Sequence, residues 1–178
     1  MDNYIEQIVK KNPDAKQRLW LVGAIFVTML GVAAILCYDM SVGLMLAAGG
    51  GFLIYFAKNA QSMEYEYVFV NADCDIARIS NKQNRKEVYS LKGGDVQKVL
   101  QYNSQQFDNE REANANLIIK DFTSGDKTKE NDWYMFITND NGKTVAVGLE
   151  LDARTKTYVE TYYKNKGNIS GVNSSYKR

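Results

Sequence analysis

Two uncharged apolar runs, separated by a single aspartate, constrain the fold of this chain more than any other feature. Residues 19–38 and residues 40–57 carry no charged side chain; Asp39 lies between them and Lys58 follows the second run. At about 1.5 Å per residue, each run forms a helix long enough to cross most of the ~30 Å hydrocarbon core of a bilayer. The sequence therefore predicts a two-helix transmembrane hairpin over residues 19–58. One spanning helix followed by a buried or interfacial helix is the alternative, because the second run is richer in glycine.

Small residues in the second run predict how the two helices pack. Gly43, Ala47 and Gly51 recur every four residues, and such a ridge lets a neighbouring backbone approach closely. On the first helix, Gly23 and Gly31 share one face and are the expected counterpart. We therefore expect the helices to touch at these positions.

The charges that flank the apolar runs predict the orientation. Asp39 is the only charge in the turn, whereas basic residues precede the first run and follow the second. These residues are Lys10, Lys11, Lys16, Arg18 and Lys58. Because basic flanks stay on the cytoplasmic side, we expect a multi-pass protein of the cell membrane with two spans and both termini in the cytoplasm.

Residues 1–18 are predicted to form a cytoplasmic amphipathic segment. The apolar side chains that would share one face of a short interfacial helix are Tyr4, Ile5, Ile8 and Val9. A frayed chain end is the alternative. Asn12 is the expected N-cap of the next helix, with Pro13 at its first position.

From residue 62 onward the hydrophobic period changes to two, which indicates β-strands. The pattern predicts seven strands, over residues 64–70, 74–80, 85–91, 96–102, 115–122, 132–138 and 143–150. Residues 103–114 are predicted to be a long loop or a short helix, and residues 123–131 a charged loop. Asp152 is expected to cap a last helix ending near Asn165, whose apolar stripe is Tyr158, Val159, Tyr162 and Tyr163. The β domain would thus comprise residues 62–165, followed by a disordered tail over residues 166–178.

Composition argues against several functional classes. The chain has no histidine and two cysteines, Cys37 and Cys74, so the commonest general base and the usual zinc ligands are missing. A net charge of +1 gives no bias toward nucleic acid. Asp73 and Asp75 fit a solvated turn better than a cation site, because further oxygen ligands are not spaced nearby. We therefore expect no metal, no cofactor, no nucleic-acid partner and no enzymatic activity.

Seven strands followed by one helix resemble a pleckstrin-homology-like (PH-like) fold. The resemblance implies an α+β chain: an N-terminal transmembrane hairpin, then a seven-stranded antiparallel barrel or sandwich with a C-terminal helix. The start MDNYIEQIVKK, the apolar hairpin and the segment EYEYVFVNADCDIARISNKQNRKEV also resemble a family of small bacterial two-helix membrane proteins that carry a domain of unknown function. The likeness covers most of the chain and is most specific over residues 1–90, although Ala72 stands where glycine is usual. It implies architecture rather than activity.

The loop over residues 81–86 is the best candidate for contact with a charged partner. The first strand leaves the membrane and the second returns, so this loop comes back toward the bilayer. Lys82, Arg85 and Lys86 would there contact anionic headgroups, and a solvated hairpin loop is the alternative. The loops that bind phosphoinositides in PH relatives are net acidic here, with Asp73, Asp75, Asp95 and Asp140 against Lys92 and Lys143. A specific lipid-phosphate pocket is therefore not expected.

Two functions fit these features. The first is a non-catalytic, membrane-anchored interaction or scaffolding module that binds a protein partner at the cytoplasmic face. The second is a sensor of a small ligand or lipid, with the barrel interior or the hairpin as receptor. An apolar cavity at the barrel mouth would favour the sensor. A filled interior with an exposed edge or patch would favour the interaction module.

Overall fold

A computed structural model of the chain describes residues 4–164. These residues form two compact units, which we describe separately. One unit comprises residues 12–63 and 80–84, and the other comprises residues 4–11, 64–79 and 85–164. The tail predicted to be disordered, residues 166–178, lies outside the described residues.

The first unit contains the two apolar helices, α1 (Ala15–Cys37) and α2 (Met40–Gln61). Both are long and apolar enough to cross a membrane. The carboxylate of Asp39 caps α2 by accepting hydrogen bonds from the backbone N–H groups of Ser41 and Val42, at 2.8 and 3.0 Å. The single charge between the two runs therefore begins the second helix.

α1 begins two residues later than the sequence suggested. Its N-cap is Asp14, not Asn12, so Pro13 precedes the helix instead of opening it. Gln17 explains the choice, because its side-chain oxygen accepts from the backbone N–H of Asp14 at 3.1 Å. A capping box of this kind needs a long polar side chain three residues after the cap, which Asn12 does not have.

Within residues 4–164, eight strands form two four-stranded sheets. The strands are β1 (Tyr4–Lys10), β2 (Met63–Val70), β3 (Asp73–Ser80), β4 (Asn84–Leu91), β5 (Val96–Gln101), β6 (Ile118–Asp121), β7 (Trp133–Asp140) and β8 (Lys143–Glu150). The sheet orders are β1-β2-β3-β4 and β5-β7-β8-β6. The unit that holds the sheets also contains α3 (Gln105–Ala113), a 3₁₀ helix (Lys127–Asp132) and α4 (Ala153–Lys164).

The segment near the N-terminus that was expected to be an amphipathic helix is the strand β1. With it, the described residues contain eight strands instead of the predicted seven. β1 pairs antiparallel with β2 over its whole length, from Tyr4 opposite Val70 to Lys10 opposite Glu64. The spacing of its apolar residues fits a helix as well as a strand. Pairing with β2 decides between them, and β2 lies beyond both apolar helices in the sequence. The β domain expected over residues 62–165 therefore also includes β1.

The second sheet departs from the antiparallel barrel in one strand. β6 runs parallel to β8, with Ile118 opposite Val145, whereas β5, β7 and β8 are antiparallel neighbours. Within residues 4–164 the strands remain two separate sheets rather than one closed barrel. A parallel neighbour needs a long connection; between β6 and β8 it is residues 122–142, which contain the 3₁₀ helix and β7.

Large side chains fill the interior of the β domain. Tyr67, Phe69, Phe136 and Ile137 are fully buried. α4 closes this core with Tyr163, whose ring lies 5.6 Å from that of Phe136 and whose hydroxyl donates to the carbonyl of Ala72 at 2.7 Å. The predicted apolar stripe of α4 thus divides: Val159 and Tyr163 are buried, and Tyr158 and Tyr162 are half-buried.

The predicted charged loop over residues 123–131 includes part of the 3₁₀ helix and is not exposed throughout. Thr123 and Ser124 are buried, and the backbone N–H of Ser124 donates to the carboxylate of Glu150 at 3.1 Å. Lys129, in the 3₁₀ helix, lies 3.4 Å from the same carboxylate. Glu150 is itself buried, so the segment is drawn inward by the need to pair that charge.

Candidate functional site

The contact between α1 and α2 depends on three glycines whose missing side chains leave room for a neighbouring backbone. A Cβ at Gly31 would overlap the backbone of Ala47, and a Cβ at Gly43 would overlap Ile35. A Cβ at Gly50 would overlap Thr28. Of the predicted contact residues, the structure therefore brings together Gly31, Gly43 and Ala47.

Gly23 and Gly51 do not take part in this contact, since open space surrounds the Cβ position of each. The residues of α2 that face α1 are buried or half-buried and alternate in spacing between four and three: Gly43, Ala47, Gly50, Ile54 and Ala57. Antiparallel helices that stay in contact over several turns follow a spacing of about 3.5, so the step after Ala47 falls on Gly50. A repeat of four drifts away from the partner helix by Gly51.

Two glutamines close the end of the helix pair away from Asp39. The side-chain amide of Gln61 donates to the carbonyl of Gln17 at 3.1 Å, and that of Gln17 donates to the carbonyl of Ala60 at 3.4 Å. Each amide satisfies a carbonyl on the neighbouring helix. These side chains mark the level at which the apolar surfaces of α1 and α2 end.

Lys82, Arg85 and Lys86 are exposed, but they are not equivalent. Lys82 lies in the segment that belongs to the unit of the apolar helices, where the N–H of Asn81 donates to the carbonyl of Ser62 at 2.9 Å, next to the end of α2. Arg85 is on β4 and forms an ion pair with Glu66. That hydrogen-bonded carboxylate raises the pKa of the Arg85 guanidinium. Arg85 therefore already has an acidic partner within the domain.

The aspartates that the sequence placed in turns serve local structure. Asp73 accepts from the backbone N–H of Gly93 at 2.8 Å, and Asp75 accepts from the hydroxyl of Ser90 at 2.7 Å. The carboxylate of Asp140 lies 3.3 Å from the ammonium group of Lys120. Across the described residues 4–164, no group of acidic, histidine or cysteine side chains is arranged to hold a metal ion.

No pattern in the sequence predicted the groove that lies between β1 and α4. Its volume is about 540 Å³, and Ile5 forms the β1 wall. The other wall is one face of α4: Arg154, Thr157, Tyr158, Thr161 and Tyr162. We call this the β1–α4 groove. The buried stripe of α4 is recognisable in the sequence by its apolar side chains. The face of α4 that lines the groove mixes polar and aromatic side chains, as a solvated surface does.

Gln7 and Asp152 fix the position of α4 beside β1. The Gln7 amide donates to the carbonyl of Glu150 at 2.8 Å, and its oxygen accepts from the N–H of Asp152 at 3.1 Å. The Asp152 carboxylate then caps α4 by accepting from the N–H of Thr155 at 2.7 Å. One side chain of β1 thus holds both the end of β8 and the start of α4.

The β1–α4 groove is apolar at one end and cationic at the other. The rings of Tyr158 and Tyr162 lie 4.7 Å apart. Burial, and then the neighbouring Tyr162, raises the pKa of Tyr158 to about 12, so the Tyr158 ring stays neutral at physiological pH. Arg154 is the one charged side chain of the lining, and no carboxylate within residues 4–164 forms an ion pair with it.

Other clefts among the described residues are also open to the surface. One, about 670 Å³, lies beside β6 and is lined mainly by polar groups that include Asn114, Asn116 and Lys143. The second, about 320 Å³, lies on the helix pair and is apolar, with Trp20, Gly23 and Leu53 in its lining. Gly23, which does not serve the contact between the helices, thus lines a cleft on their outer surface.

Comparison with protein families gives a match. A family model described as "Bacterial PH-like domain (DUF6106)" matches residues 1–169. None of the curated proteins and none of the solved structures matches the chain.

Proposed function

The chain belongs to this family of bacterial PH-like domains, and from that premise we propose that it is a non-catalytic, membrane-anchored interaction and scaffolding module. The β domain would hold a protein partner at the cytoplasmic face of the cell membrane. The two apolar helices would serve as the anchor.

The pairing of β1 with β2 carries this proposal. The two strands are neighbours over seven residue pairs although both apolar helices lie between them in the chain. Strands of one sheet lie on one side of a bilayer, so the chain between them must cross an even number of times. This favours two spans over one, and the basic residues at both flanks favour the cytoplasm as the common side.

The filled interior supports a protein partner more than an enclosed ligand. Fully buried aromatic and aliphatic side chains occupy the space that a barrel cavity would need. The clefts described at the surface of the β domain are open to solvent rather than enclosed. The carboxylates at the predicted turns are committed to local hydrogen bonds and ion pairs, which supports a binding role over a catalytic one.

A lipid sensor is the second candidate, and the apolar cleft beside Gly23 favours it. Its lining residues Leu19, Trp20 and Leu53 would suit an acyl chain or another membrane helix. Substitution Gly23→Leu would fill the cleft without touching the contact between α1 and α2, because open space surrounds that position. A loss of function in Gly23→Leu with an intact hairpin would favour the sensor.

Contact with anionic headgroups is a supporting part of the proposal. Lys82 belongs to the compact unit of the apolar helices, next to the end of α2, and would therefore lie near the headgroups if α2 crosses the membrane. Lys86 adds a second exposed ammonium group, and Arg85 adds less because Glu66 pairs with it. Each ammonium that reaches an anionic surface contributes about 1 kcal/mol.

Cysteine labelling in intact cells tests the anchor. In a variant without Cys37 and Cys74, we expect Asp39→Cys to react with an external, impermeant reagent and Ser170→Cys to be shielded from it. The reverse pattern would disprove the orientation.

Photo-crosslinking from the β domain in the same cells tests the interaction role. We expect adducts with a defined protein from some surface positions and none from others, and adducts that persist when the cells are starved of small metabolites. Crosslinks to lipid alone, from every position, would contradict a protein-binding module.

A further inference from the structure

The β1–α4 groove has one wall that is a sheet edge. β1 is the last strand of its sheet, so the backbone groups that do not bond to β2 point away from that neighbour. Within residues 4–164, no backbone hydrogen bond joins β1 to another element than β2. An edge of this kind is a template for an additional strand.

The opposite wall supplies side-chain recognition. Arg154, Thr157, Tyr158, Thr161 and Tyr162 recur at helical spacing and so share one face of α4. The hydroxyls of Thr157 and Thr161 donate to carbonyls one turn back in the helix, at 2.9 Å each. The groove therefore offers an occupant two tyrosine rings and one guanidinium, and few further hydrogen-bond donors.

We propose that the β1–α4 groove binds an extended peptide segment of a partner protein, added as a strand to β1. An apolar side chain of the peptide packs on Tyr158 and Tyr162, and an acidic side chain pairs with Arg154. This inference rests on the proposed interaction function and names the class of partner. Backbone pairing supplies affinity, and the two side-chain contacts supply selectivity.

Charge argues for a partner rather than residues 165–178 of this chain. Residues 165–178 carry Lys166, Lys177 and Arg178 and contain no aspartate or glutamate. They would bring like charge to Arg154. A single guanidinium also matches one carboxylate better than it matches the dense negative charge of a lipid surface, which is bound by several cations together.

Selection from a library of short random peptides, displayed on phage, tests the proposal with the full chain held in nanodiscs of neutral lipid. We expect the selected peptides to carry one Asp or Glu and apolar residues at alternate positions. Arg154→Glu should weaken their binding at least about tenfold, since a charge-assisted pair is lost. The matched control Arg111→Glu, on the exposed side of α3, should leave binding within about twofold.

A charge swap keeps the test independent of folding. Selection against Arg154→Glu should return peptides with Lys or Arg where the first selection gave an acid, which an unfolded variant would not do. Methylating the peptide's backbone nitrogens one at a time should abolish binding at every second nitrogen and leave it intact at the others. Only every second N–H of an added strand faces β1. Peptides that bind equally well after any single methylation would overturn strand addition.

The remaining outcomes separate this inference from the function on which it rests. Selected peptides without an acid, or with apolar residues at helical spacing, would overturn the proposed ligand class. If the β domain forms protein crosslinks in cells but no peptide competes with them, the module stands and the groove does not. Self-association lost in Tyr158→Ala would identify a second copy as the occupant and overturn a foreign peptide.

Discussion

The helix pair and the β domain are packed by opposite means. Between α1 and α2, contact depends on side chains that are missing, at Gly31, Gly43 and Gly50. Inside the β domain, contact depends on the largest side chains available, such as Phe136 and Tyr163. This is the difference expected if the helix pair lies in lipid, as proposed, and the β domain lies in water. In water, burial of apolar surface drives packing, whereas in lipid the tails are as apolar as the side chains, so close backbone approach supplies the attraction.

The test with the largest expected effect concerns β1, because β1 precedes both apolar helices in the chain and yet pairs with β2, which follows them. Lys10 lies directly opposite Glu64, so a two-residue Asn-Gly turn in place of residues 11–63 would make β1 and β2 a simple hairpin. We expect this shortened chain to be soluble and folded without a membrane. Circular dichroism and gel filtration would check it. Removal of residues 1–10 from the shortened chain should leave it unfolded or aggregated, because β2 loses one of its two neighbours and becomes an exposed edge. A soluble, folded product after that removal would show that β1 is dispensable.

Truncation of a buried side chain in the β domain should lower the free energy of unfolding more than truncation of an exposed one. In the shortened chain, Phe136→Ala should lower the free energy of unfolding by about 3–5 kcal/mol, because Phe136 is fully buried against Tyr163. Ile119→Ala is the matched control, since Ile119 is 45% exposed, and should cost well under half as much. Urea denaturation measures both values.

Adding a large side chain at the contact between α1 and α2 should disrupt packing there, as removing one does in the core of the β domain. Gly43→Leu and Ala47→Leu would hold the backbones of α1 and α2 apart, because those positions face α1 directly. Disulfide crosslinking between engineered cysteines on the two helices should fall sharply in both variants. Gly51→Leu adds the same side chain where the space is open and should leave crosslinking unchanged. Equal loss in Gly51→Leu would mean that the contact follows the four-residue repeat after all.

Alkaline pH should weaken the β domain and spare the helix contact. Burial raises the pKa of Tyr67 and Tyr163 above that of a free tyrosine, so both stay neutral in the folded domain while the unfolded chain ionises. The stability is therefore complete below pH ~10 and is lost as the pH rises above it. Tyr163→Phe should reduce this loss, and should cost about 1 kcal/mol at neutral pH because the hydrogen bond to Ala72 disappears. Thermal melts of the shortened chain at pH 7 to 11 would measure both effects.

Lipid binding should show the smallest effect. The shortened chain should bind anionic vesicles weakly through Lys82 and Lys86 and release them as salt rises, because surface charges are screened beyond about 8–10 Å. Lys82→Glu with Lys86→Glu should abolish this binding, whereas Arg85→Gln should change it little because Glu66 already pairs with that charge. Co-sedimentation measures the bound fraction. Indifference to anionic lipid at low salt would make residues 81–86 a solvated loop.

The sequence predicted those parts of the fold whose cause is local. The apolar runs and the strands from β2 to β8 follow from periodicity within each segment, and their bounds were predicted to within a few residues. β1 was missed because a distant partner decides its conformation. The parallel placement of β6 was missed for the same reason, since it depends on pairing with β8.

The candidate site was predicted less well than the fold. Gly31, Gly43 and Ala47 are visible in the sequence as small residues, but the choice of Gly50 over Gly51 depends on how the helices follow one another in space. The β1–α4 groove combines Ile5 with residues near the other end of the chain. A polar, exposed stripe such as Arg154, Thr157 and Thr161 gives no sequence signal until β1 is placed beside it.

The pairing of β1 with β2 also sets an order for biosynthesis. β1 leaves the ribosome first, yet its partner is made only after both apolar helices have been translated. If the helices cross the membrane as proposed, the first strand must wait, unpaired, while they enter it. If one helix failed to insert, β1 and β2 would emerge on opposite sides of the bilayer and the sheet would lack its edge strand. Completion of the β domain then acts as a checkpoint on insertion, and a chain with the wrong topology would present an open strand to the proteases that remove misfolded membrane proteins.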